Sequence, residues 1–167
     1  RLKQFLLVYI LLVSFFSPFD FAHAKAFIPP SDKTLLAIGS DTDSIEDYIK
    51  HIGIVPGGFM VYTNIQEAES LFEVGRDHGA GFNHAQHFVD KYPNTVIQLG
   101  LYMVGAQQDI INGVYDGNID KIGKWIKQAK IPVYLRIGYE FDLGNNGYEP
   151  ELYKKVFHYI VNRLRKQ

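Results

Sequence analysis

Between residues 35 and 164 the chain repeats one pattern four times, a short apolar run followed by a stretch with helical spacing. Runs at residues 35–39, 58–62, 95–103 and 131–141 read as strands. Residues 44–52, 66–74, 84–91, 118–130 and 150–164 read as helices, the first capped by Asp43 or Ser44 and the last opened by Pro150. On the helix at 118–130, Ile119, Ile122, Trp125, Ile126 and Ala129 share a face, which makes Trp125 a core residue. Strands alternating with helices imply parallel βα units joined by right-handed crossovers. An open doubly wound sheet and part of an eight-stranded βα barrel both satisfy this. No G-x-G-x-x-G or P-loop sequence follows any of the runs, which removes the usual nucleotide-binding reason for an open sheet. A whole barrel takes about 250 residues. The 167 residues here are therefore expected to hold roughly the first four βα units.

The N-terminus carries a different signal. Arg1 and Lys3 precede an apolar run over residues 5–16, then Ser17-Pro18 and Ala22-His23-Ala24. A basic start, an apolar stretch too short for a bilayer span and a small-x-small site predict a signal peptide over residues 1–24. Residues 25–167 are then the folded domain, in a secreted protein (extracellular or periplasmic) that meets a membrane only during export. With no cysteine, neither a disulfide framework nor a thiolate metal site is available. The formal net charge is −1, and no dense Lys/Arg cluster lies outside the termini, so nucleic acid is not an expected partner.

The chemistry concentrates in residues 133–142, VYLRIGYEFD. Continuous alternation would put Val133, Leu135, Ile137, Tyr139 and Phe141 on an apolar face against the helices. Tyr134, Arg136, Gly138, Glu140 and Asp142 would share the other face. A central parallel strand is ordinarily apolar on both faces, so an Arg, a Glu and an Asp here require partners or a wet cleft. Two readings follow: an Arg136–Glu140 ion pair that braces the strand end, or an active-site carboxyl at the C-terminal rim, where barrel sites are built.

These residues resemble glycoside hydrolase family 26, the β-mannanases and related enzymes. The likeness rests on Pro132 to Asp142, with its R-x-x-Y-E-F core, and on Tyr148-x-Pro150-x-x-Tyr153. Gly100-Leu101-Tyr102, residues 108–116 and the helix from Ile119 to Trp125 support it. The resemblance implies an incomplete (β/α)8 TIM barrel and a retaining β-glycosidase acting on a polysaccharide such as β-mannan or a related β-glucan, with no cofactor. It makes Glu140 the general acid/base. The family's nucleophile, a glutamate near the end of strand seven, has no counterpart among these residues, so the chain alone is expected to be inactive. Family members place His directly before the acid/base, where this chain has Tyr139. A non-catalytic carbohydrate-binding or scaffold protein on the same barrel is the alternative.

Arg136, Tyr102, Asp142, Tyr139 and Asp41 are the candidate substrate-binding residues. Asp41 and Asp43 fit equally well as caps of the first helix, and strict alternation points Tyr139 outward unless the strand bulges. His84, His87 and Asp90 stand at i, i+3 spacing, but their polar surroundings read as a solvated helix, so no metal is expected. Asp109 and Asp116 bracket a Gly-containing loop and read as turn residues.

Overall fold

A computed structural model describes residues 29–77, 79 and 81–167; the leader expected at 1–24 lies outside them. The order is β1 (Ala37–Gly39), α1 (Thr42–Ile52), β2 (Gly58–Asn64), α2 (Ala85–Lys91), β3 (Val96–Tyr102), α3 (Gln107–Ile111), α4 (Asp116–Ala129), β4 (Val133–Ile137), a 3-10 turn (Gly144–Asn146) and α5 (Pro150–Leu164). The four strands are parallel, and their order in the sheet is that of the sequence. A doubly wound sheet reverses its strand order at a switch point. None is present among the described strands. Same-handed crossovers that always step the same way leave the helices on one face, which is consistent with part of a barrel.

Burial agrees with that layering. Phe59, Val61, Ile97, Leu99 and Leu101 point to the helical side and are fully buried. The rings of Phe88 and Tyr92 pack on Phe59 at 4.5 and 5.2 Å. Trp125 is fully buried, and its indole N–H donates to Gln86 Oε1 at 3.0 Å. On the opposite face Met60, Tyr62 and Gln98 are only partly covered and Tyr134 is exposed. No helix among the described residues is long and apolar enough to cross a membrane.

Three sequence expectations change. Residues 66–74 form no helix, because Ala68 and Ser70 hold left-handed φ of 49° and 64°. Side chains compete for the backbone there: Asn64 Oδ1 accepts from the Glu67 amide, and the Thr63 hydroxyl donates to the Glu69 carbonyl. Part of the loop between Tyr102 and Asp116 is instead helical, as α3. Asp116 is no turn residue: it opens α4, accepts from the Tyr159 hydroxyl and, with Asp120, binds Arg163 at 2.6 Å, fastening α5 to α4. Finally, β4 ends at Ile137, four residues earlier than the apolar alternation implied.

Helices α1 and α2 are joined through Glu46, whose carboxylate accepts from His87 Nε2 at 2.6 Å, Lys91 Nζ at 2.7 Å and the Tyr92 hydroxyl at 2.9 Å. Burial pushes this carboxyl up, but the hydrogen bonds from Lys91, His87 and Tyr92 outweigh it and hold the pKa below the ordinary 4.5. A folded-state pKa below the unfolded one stabilises the protein above the ordinary value, and that stability drains as pH falls through the folded value. Glu46→Gln is therefore expected to cost about 1–2 kcal/mol at neutral pH and to blunt the loss of urea resistance on acidification below pH 4.5. An acid-unfolding profile identical to wild type would refute this.

Candidate functional site

Because β2, β3 and β4 run parallel and in register, Tyr62, Gly100 and Arg136 form one row across the open face of the sheet. Gly100 leaves a gap in that row. A Cβ there would stand 2.8 Å from the Tyr62 ring and 3.2 Å from that of Tyr139. Tyr139 fills the gap from above, which reverses the outward orientation that strict alternation gave it. The cause is Gly138, whose amide makes the last bond to β3 (Leu101 O, 3.0 Å) and whose φ of +62° turns the chain out of the strand. Tyr139 then packs edge-on against Tyr62, with centroids 5.4 Å apart, and lies 6.3 Å from Tyr102. Phe141, expected against the helices, is exposed and stacks on Tyr153 at 5.1 Å.

Glu140 follows with a left-handed φ of +55°, uncommon for a residue with a side chain. Its carbonyl accepts from Leu143 N and Asn146 Nδ2, both at 3.1 Å, which fixes the turn. The side chain is exposed at the rim of the sheet's C-terminal end. The bracing ion pair with Arg136 is not formed. Arg136 instead stands 5.4 Å from the Tyr139 ring centroid, a cation–π arrangement. Burial, then the neighbouring Tyr62, Glu140 and Tyr102, push the Tyr139 phenol up, and the Arg136 guanidinium partly offsets them. Burial pushes Tyr148, beneath Tyr139, up to about 12.

The remaining candidates divide. Tyr102 is 41% exposed at the end of β3 and lines, with Tyr62 and Tyr139, a cleft of about 410 Å³. Asp142 is exposed and makes no hydrogen bond or ion pair among the described residues. Asp41 caps α1: its carboxylate accepts from the Ser44 hydroxyl at 2.7 Å and the Ser44 amide at 2.9 Å, and these bonds hold its pKa down. His84 and His87 take separate partners, the Phe72 carbonyl and Glu46. Among the described residues no cluster of three His, Cys, Asp or Glu side chains could hold a metal.

Sequence reasoning missed the far wall of the cleft. Asn64, Gln66, Glu67, Arg76 and Asn83 line it, and all but Asn64 belong to the loop over residues 65–84. The usable signal was Gly75, Gly79 and Gly81, which break the helical pattern within a long connection between two strands, the kind of segment that is often functional.

An aromatic cleft at the C-terminal ends of parallel strands, with an exposed carboxyl on the residue after Tyr139 that makes no ion pair among the described residues, has the chemistry of a glycan site. Two relatives are beta-1,3-xylanases. One, Beta-1,3-xylanase TXYA of Vibrio sp, is 34% identical over 146 residues, covering 87% of this chain and 32% of that protein. The other, the Beta-1,3-xylanase of Alcaligenes sp, is 32% identical over 146 residues, covering 87% of this chain and 31% of its own. The chain spans about a third of the length of the curated relatives it matches. No family model matches it.

Proposed function

We propose that this chain is the segment of a secreted retaining glycoside hydrolase that supplies its general acid/base, Glu140, and that the substrate is a β-1,3-linked xylan in place of the mannan first expected. The observation that carries the reading is the exposed Glu140, turned out of β4 beside an aromatic cleft. The likeness to the two xylanases supports that choice of substrate. Placement in family 26 belongs to the same proposal and rests on the R-x-x-Y-E-F segment.

Retaining hydrolysis needs two carboxyls about 5–5.5 Å apart, one protonating the leaving oxygen and one attacking the anomeric carbon. Glu140 takes the first role, next to Tyr139, whose ring stands under the Arg136 guanidinium. The second carboxyl is proposed to come from a later strand end. Residues 1–167 alone should release no reducing ends, whereas a longer polypeptide carrying this segment should hydrolyse β-1,3-xylan in preference to β-1,4-xylan and β-mannan. Preference for mannan would overturn the substrate. Binding without hydrolysis of any of the three would favour the non-catalytic alternative.

A further inference from the structure

The loop over residues 65–84 builds a polar wall that the proton-donor assignment leaves unused. Arg76 lines the cleft there and is held on two sides. Its Nη2 pairs with Glu67, its Nε donates to Glu69 Oε2 at 3.4 Å, and its amide donates to the same oxygen at 3.1 Å. Asn64, at the end of β2, locks both acids: Nδ2 donates to Glu69 Oε1 and Oδ1 accepts from the Glu67 amide, each at 2.7 Å. The loop is also tied down by its backbone, Gly75 N to Asn83 O at 2.9 Å and Ala85 N to Ser70 O at 2.8 Å. Among the described residues this bracing leaves Arg76 Nη1 without a protein partner. Tyr62 and Tyr102 line the same cavity, and their hydroxyls make no hydrogen bond among the described residues.

We propose that Arg76 and Glu67, with Tyr62 and Tyr102, form a saccharide subsite on the β2 side of the cleft, separate from Glu140, which does not line this cavity. The proposal rests on reading the cleft as part of a glycoside hydrolase groove, and it adds where a sugar is gripped and by what. Charge decides the ligand class. Glu67 and Arg76 are the charged side chains lining the cleft and already pair with each other, so a phosphate, sulfate or uronate would meet the Glu67 carboxylate beside the group that attracts it and no net positive charge. A neutral sugar meets no such penalty. Its hydroxyls accept from Nη1 and the phenols and donate to Glu67, while its C–H faces pack on aromatic rings. A purely apolar ligand would strip water from Arg76 and return nothing. Since the wall is already held in place, binding spends little on ordering it.

The test is calorimetric titration of the chain with β-1,3-linked xylotriose. Saturable binding is expected, weakened about tenfold by Arg76→Ala, since a hydrogen bond from a charged donor is lost. Tyr102→Ala should weaken it comparably and Tyr102→Phe less. The tyrosine variants report even if Arg76→Ala loosens the loop, which a thermal melt would reveal. No binding by wild type, or unchanged binding by both a folded Arg76→Ala and Tyr102→Ala, overturns the subsite. Equal affinity for a xylotriose bearing a uronate overturns the neutral-ligand argument. Binding moves no proton, so this readout stands apart from hydrolysis tests of Glu140, and either reading can fail without the other.

Discussion

Glu140→Gln, made in a form of the protein that turns over glycan, is expected to lower kcat for β-1,3-xylan by about 10²–10⁴, the range for a lost general acid/base. The amide preserves shape and rim position but carries no transferable proton. KM for xylan should move far less than kcat, because the proposed subsite would grip the sugar away from Glu140. Leaving-group chemistry sharpens the test. An aryl xyloside with a good leaving group needs little protonation, so its first step should survive the substitution while hydrolysis of xylan does not. The burst of aryl alcohol and kcat/KM for the aryl xyloside read that first step, because its kcat also contains the base-assisted second step, and they are compared with kcat for xylan. A Glu140→Gln enzyme that still degrades xylan at the wild-type rate would remove the acid/base role.

Gly138→Ala is expected to destabilise the fold by about 2–5 kcal/mol and to disorder the cleft. Two costs combine. At φ +62° an L side chain pays for the left-handed region, about 1–2 kcal/mol. The new Cβ would also stand 2.5 Å from Met103 Cε and 3.0 Å from Tyr153 Cε2, and such overpacking typically costs about 1–3 kcal/mol. Tyr153 has little freedom to yield, because its hydroxyl donates to the Ile137 carbonyl at 2.8 Å. Urea denaturation gives the stability change, and tyrosine fluorescence reports whether Tyr139 still packs on Tyr62. A variant as stable as wild type would show that the turn after β4 is not held in this conformation.

Together these residues show how the site is assembled. The strand end at Ile137, the glycine turn and the left-handed Glu140 bring one aromatic ring inward and leave one carboxyl at the rim within five residues. A straight extension of β4 would separate them onto opposite faces.

The βα repeat and the apolar face of α4 with Trp125 at its centre were legible in the amino-acid order, and the proposed role of Glu140 rests on it too. Each depends on local periodicity or on residue types within one short segment. Only the three-dimensional structure decided the inward turn of Tyr139, the fastening of Asp116 to Arg163 and the replacement of a helix at 66–74 by a loop braced from Thr63 and Asn64. Alternation and helical spacing assume a regular backbone, which Gly138, Ala68 and Ser70 leave with positive φ. Neither pattern carries information about a partner such as Arg163, 47 residues from Asp116.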